Sequence, residues 1–172
     1  PAPTVARMGQ LGVLSEVLPE ADPAALARLV AAERAEAIAP DPLRRLAALL
    51  SGGSGQAETV ASRFRLSNAQ KKRLATAAAR TDADTIDPRA MAYRLGREPA
   101  LDRLLLAGRS TEPLSGWEAP VFPLKGGDIV AAGVSAGPQV ARLLRRIEDR
   151  WLGEGFPSAT RVRDMLAEEL AQ

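Results

Sequence analysis

The sequence contains no cysteine and no histidine. These absences exclude disulfides, cysteine-ligated zinc or iron–sulfur sites, thiol nucleophiles, histidine metal clusters and any histidine-based triad. No apolar run approaches the ~20 residues of a membrane helix, and no basic start followed by an apolar stretch marks a secretory signal. The cytoplasm is therefore the expected compartment. Lysine is scarce as well, with 3 against 20 arginines. Arginine suits bidentate phosphate contacts, although a GC-rich genome produces the same bias. What is present fits a soluble globular class: 172 residues, 46% hydrophobic and 26% charged. At roughly 150 residues per domain this is one domain or two small ones, long enough to hide about 70% of the unfolded surface.

The net charge is only +2, and the pI of 9.5 reflects the lack of groups titrating between the carboxylates and the lysines. The distribution says more. Residues 1–50 carry 5 basic and 6 acidic side chains, residues 51–110 carry 11 and 6, and residues 111–172 carry 7 and 9. The basic excess is central and densest at Arg63, Arg65, Lys71, Lys72 and Arg73, with no acid between them. Such a patch attracts polyanions; the plain alternative is a solvated helix face.

Almost the whole chain reads as helix. Thr4 to Leu14 is amphipathic but interrupted by Gly9 and Gly12. Asp22–Pro23, Asp41–Pro42 and Asp87–Pro88 each place a capping carboxylate before proline at the first helical position. The buried stripes are then Leu26, Leu29 and Val30; Leu43, Leu46, Leu49 and Leu50; and, after Glu98–Pro99, Leu101, Leu104 and Leu105. Ser51 to Gly55 reads as a flexible loop before a helix from about Gln56 to Phe64, and Ser67 or Asn68 caps the next. Residues 109–123, with prolines at 113, 120 and 123, read as an extended connector pinned by Trp117 and Phe122. Period-2 alternation is nearly absent, so the expected fold is all-α: an irregular multi-helix body followed by a C-terminal helix-turn-helix hairpin.

That hairpin is the one segment with a mechanism attached. Gly133 sits where a helix end needs positive φ, and Gly137–Pro138 starts the second helix. Val140, Leu143, Leu144, Ile147 and Trp151 form its inward stripe, while Arg142, Arg145, Arg146 and Arg150 fall largely on other faces. A helix N-terminus behind a glycine turn exposes amides and the positive end of the helix dipole to phosphate. An ordinary helical hairpin with glycines for close packing is the alternative.

The pieces Leu124-Lys125-Gly126-Gly127-Asp128, Gly133-Val134-Ser135-Ala136-Gly137-Pro138 and Leu143-Leu144-Arg145-Arg146-Ile147-Glu148-Asp149-Arg150-Trp151 together resemble the C-terminal hairpin of bacterial CCA-adding tRNA nucleotidyltransferases, of the class that includes poly(A) polymerases. Met8-Gly9-Gln10-Leu11 through Val17-Leu18-Pro19-Glu20-Ala21 is similar to the end of that family's neck, and Asp41 to Leu50 and Arg63 to Ala69 resemble segments of its body. The resemblance implies a division into the end of a neck (1–21), a helical body (22–108), a connector (109–123) and a hairpin or tail (124–172). It also implies what is not here. The family's catalytic α/β head carries a Gly-Ser pair, an Asp-x-Asp arrangement for Mg2+ and a neck Glu-Asp-x-x-Arg motif that templates CTP and ATP, and this combination does not occur. Asp82-Ala83-Asp84 has the letters without the context and reads as a solvated turn. On this resemblance the chain is the non-catalytic C-terminal part of a longer enzyme, with no catalytic, metal or cofactor site of its own. Its partners would be tRNA and its own N-terminal head, without a membrane.

By similarity, the body and tail hold the tRNA stem and elbow through phosphates, 2′-hydroxyls and shape. Lys125 and the amides after Gly137 and Pro138 are assigned to phosphate contact, with Arg142, Arg145 and Arg146 as further backbone contacts and Asp128 as a helix cap. Gly127 stands where the family often has a basic residue, so Arg63, Arg65, Lys71, Lys72 and Arg73 are expected to carry part of the affinity. Two alternatives stay open: the C-terminal region of a poly(A) polymerase, and a structural or dimerisation module with no RNA role. Oligomeric state is not readable from the sequence.

Overall fold

The computed structural model describes residues 2–81 and 87–171. The protein is all-α. Eleven α-helices and a 3₁₀ turn at Glu112–Leu114 occur among the described residues, and the β pairing there is one isolated bridge between Ala21 and Leu50. No helix among them is long and apolar enough to cross a membrane. The chain divides into two compact units, Pro1–Glu118 and Ala119–Gln172, a boundary within the stretch expected as a connector.

The first unit contains α1 (Ala2–Gln10), α2 (Val13–Val17), α3 (Pro23–Ala35), α4 (Pro42–Ala48), α5 (Gly53–Arg63), α6 (Asn68–Ala78), α7 (Pro88–Leu95) and α8 (Arg97–Leu106). The three Asp-Pro starts form as the residues dictate. The Asp22 carboxylate accepts from the amides of Ala24 and Ala25, Asp41 from Arg44 and Asp87 from Ala90. Each satisfies donors that the helix itself leaves free. Ser67 and Gln70 close a reciprocal capping box on α6. Helix α5 begins at Gly53 rather than near Gln56, because the Gln56 side chain folds back to accept the Gly52 amide at 2.8 Å. The sequence loop is therefore shorter than its glycines suggest.

Leu26, Leu29 and Val30 of α3 are buried with Val60, Leu74 and Leu105 in the main core. A second cluster gathers Met91, Ala92, Ala100, Leu104 and Leu114, with Trp117 against it. Adjacent leucines of α8 thus serve two cores. Two stripes differ from expectation. Helix α4 buries Arg44, Ala47 and Ala48 and leaves Leu43 and Leu46 half-buried; α8 buries Asp102 and leaves Leu101 half-buried. Both helices turn a charged residue inward because that charge has partners there, described below.

The second unit contains α9 (Gly126–Ala131), α10 (Pro138–Gly153) and α11 (Ala159–Leu170). Its buried residues are Leu124, Ile129, Leu143, Ile147, Trp151, Leu152, Val162, Met165 and Leu166. Val140 and Leu144 of the expected stripe are half-buried, and Leu152 joins it. The Trp151 indole N–H donates to the Pro157 carbonyl at 2.9 Å, and its ring is flanked by Phe122 and Phe156 at centroid distances of 5.1 and 4.9 Å. Of the two aromatics expected to pin the connector, Trp117 packs in the first unit and Phe122 in the second.

Candidate nucleic-acid interface

The turn of the second unit's hairpin is built by two glycines. Gly133 (φ +101°) ends α9, its amide bonded to Val130 and the Val134 amide to Ile129, the paired bonds of a left-handed helix cap. Gly137 (φ +151°) precedes Pro138, the first residue of α10. At the other end of α9, the Asp128 carboxylate reaches back to accept the Lys125 amide at 2.7 Å, which is the capping role expected for it. A Cβ on Gly126 would stand 3.4 Å from a Val140 methyl. This close approach brings the backbone beside Lys125 up to the first turn of α10.

Around α10 the charges separate. Gln139, Arg142, Leu143 and Arg146 recur on one helical face and, with Arg145, line an open groove of ≈ 490 Å³ to which no acid contributes. Arg142, Arg145 and Lys125 are exposed and make no ion pair with the described residues. Arg146 pairs with Glu169 at 2.9 Å while its side chain stays 66% exposed. Arg150 and Arg161 bridge α10 to α11 through Glu154 and Glu168. Hydrogen bonds from Arg161, then from Arg150, hold both glutamates below the ordinary carboxylate range.

The central patch is less uniform than its sequence. Arg63 donates to Glu20 through its two terminal guanidinium nitrogens, Nη1 and Nη2, at 3.2 and 2.8 Å, and this hydrogen bonding lowers the Glu20 pKa. The same guanidinium lies 5.5 Å from the centroid of the exposed Phe64 ring. Arg65 follows at φ +53°, with the Leu66 amide bonded to Ala61 and the Arg65 amide to Ser62, a helix-ending geometry usually reserved for glycine. Arg65, Lys71 and Lys72 have no ion-pair partner among the described residues. Arg73 does not belong to this surface. It donates to Asp102 through Nε at 2.8 Å and Nη2 at 3.2 Å and pairs with Asp41 and Glu98, both at 3.0 Å. Its guanidinium is saturated by carboxylates, so its charge is spent inside the unit.

Arg73 is one arm of a network that the sequence reading missed. Asp102 is fully buried and also accepts Arg44 Nε at 2.8 Å. Arg44 donates to Glu33 at 3.0 Å and to the Ala39 carbonyl at 3.2 Å, and Arg45 grips the other Glu33 oxygen at 3.0 and 2.8 Å. Three arginines and four carboxylates thereby tie α3, α4, α6 and α8 together. One signal was available: Glu33 occupies the next position of the Leu26, Leu29, Val30 stripe, where an acid is buried only if paired.

These buried acids are answered by guanidinium groups. Among the described residues no group of three acids is placed to hold a metal ion, and Asp82 and Asp84 lie outside them. The site and fold define an all-helical chain with unpaired basic surfaces. No protein-family model matches it, and no curated protein sequence does.

Proposed function

We propose that this chain is a non-catalytic tRNA-binding region, corresponding to the body and tail of a bacterial CCA-adding tRNA nucleotidyltransferase, and that it grips RNA from outside through phosphates. It works in the cytoplasm beside a catalytic head that supplies Mg2+ chemistry with CTP and ATP. The observation that carries this reading is the hairpin's division of labour. Arg146, Arg150 and Arg161 are ion-paired, while Lys125, Arg142 and Arg145 are exposed and have no ion-pair partner among the described residues. An unpaired guanidinium donates two parallel hydrogen bonds to a phosphate. Lys125 adds a point charge near the start of α10, where the helix dipole is positive. Arg65, Lys71 and Lys72 add a second basic surface on the first unit. Duplex RNA hides its bases in a deep groove, so contacts of this kind read stem shape rather than sequence.

The test is fluorescence anisotropy with a labelled tRNA transcript lacking its CCA end. The 172-residue chain is expected to bind, with affinity falling steeply as salt rises, and to incorporate no CTP. The double variant Arg142→Glu/Arg145→Glu should lower affinity at least tenfold and flatten the log–log salt slope by roughly 1.5–2, the contribution of two phosphate contacts. Unchanged affinity for that variant, and for charge reversal at Arg65 and Lys72, would leave only a structural module. The complete protein's preference between tRNA lacking CCA and generic RNA separates a CCA-adding enzyme from a poly(A) polymerase.

A further inference from the structure

Phe64 is the one aromatic side chain among the described residues that is exposed, at 38%. Its neighbour Leu66 packs against the main core, so the corner between α5 and α6 has an inward apolar residue and an outward one. The outward ring is held in place. Arg63 is fixed by two hydrogen bonds to Glu20 and lies over the ring, and a ring with only two side-chain torsions is already stiff. The next residue, Arg65, has a left-handed conformation (φ +53°) that disfavours any residue with a Cβ. Glycine would close the helix with less strain. An exposed arginine without an ion-pair partner among the described residues, following in the chain an exposed aromatic held by a second arginine, is a combination with which proteins take unstacked bases: a π-face for the base and cations for its backbone.

We infer that the Arg63–Phe64–Arg65 corner binds one unpaired nucleobase of the RNA, stacked on the Phe64 ring, with an adjacent phosphate on Arg65. This deepens the RNA-binding reading and rests on it. The corner supplies what phosphate contacts lack, a preference for RNA that presents an unpaired base over a featureless duplex.

The experiment compares Phe64→Ala, Phe64→Leu and Phe64→Trp in the 172-residue chain, by anisotropy on a tRNA transcript and on a blunt RNA duplex of equal length. Phe64→Ala and Phe64→Leu are expected to weaken tRNA binding about tenfold, with Phe64→Trp retaining it. All three should keep the wild-type salt slope, because no phosphate contact is lost, and should bind the blunt duplex as wild type does. Should Phe64→Ala melt below the assay temperature, Phe64→Leu against Phe64→Trp decides alone. Wild-type affinity for Phe64→Leu, or equal losses on tRNA and duplex, overturns the stacking site. If Arg142→Glu/Arg145→Glu still abolishes binding, the phosphate grip survives that result. Failure of the wild-type chain to bind tRNA overturns both.

Discussion

In the first unit Arg44 meets Glu33 and Asp102 where all three are nearly inaccessible to water, whereas in the second Arg150 and Arg161 meet Glu154 and Glu168 at the solvent boundary, with side chains 32–45% exposed. The chemistry is the same and the consequences are opposite. A buried ion pair must be complete, because losing one partner strands a charge in a poor solvent. A surface pair adds little and is screened by salt. The difference teaches that an arginine count does not locate a polyanion-binding surface. Of the basic residues singled out in the sequence, subtracting ion-pair partners among the described residues leaves Arg65, Lys71 and Lys72 in one unit, and Lys125, Arg142 and Arg145 in the other.

The sharpest way to break this comparison is Asp102→Ala. It removes three hydrogen bonds and leaves Arg44 and Arg73 facing an unfilled site, so the first unit should lose about 3–5 kcal/mol in chemical denaturation. The matching truncation of the exposed pair, Glu168→Ala, should shift the melting curve only slightly, and equal losses would abolish the distinction. Acid sharpens it next. The Glu154 and Glu168 pKa values are lowered from 4.5 by the arginines that bond them. Their contribution to stability is therefore fully present above that value and is lost as pH falls through the depressed folded-state values. Melting of the α10–α11 pair followed by circular dichroism should drop over that range, and raising salt at neutral pH should reproduce part of the drop. A gain rather than a loss is expected at Arg65. Arg65→Gly relieves the left-handed strain and should stabilise the first unit by about 1 kcal/mol, while weakening RNA binding. A variant that is both less stable and unimpaired in binding would reverse the account of that corner.

Much of the helical plan was legible in the residues, for local reasons. Asp22, Asp41, Asp87 and Ser67 cap helices through contacts spanning two or three residues, and Gly133 and Pro138 mark a turn whose chemistry is equally short-ranged. The burial of Arg44 and Asp102 was not legible, because it depends on partners 58 positions apart, and periodicity alone assigns such residues to solvent. The same limit applies to Arg73. In sequence it completes a run of basic residues, and only the arrival of Asp41, Glu98 and Asp102 from other helices shows where its charge goes. The hairpin's arginines divide for a related reason: Glu154, Glu168 and Glu169 choose among them through the packing of α11 on α10.

The chain has two tryptophans, and the fold places one in each unit: Trp117 half-buried against the second core cluster, and Trp151 almost wholly enclosed between Phe122 and Phe156. Each unit therefore carries its own intrinsic fluorophore, in surroundings of different polarity. Replacing Trp117 with phenylalanine leaves a tryptophan emission spectrum that belongs to the hairpin alone, Tyr93 being left unexcited at about 295 nm or above. The difference from wild type then reports on the helical body, so the two halves can be watched separately without attaching a dye.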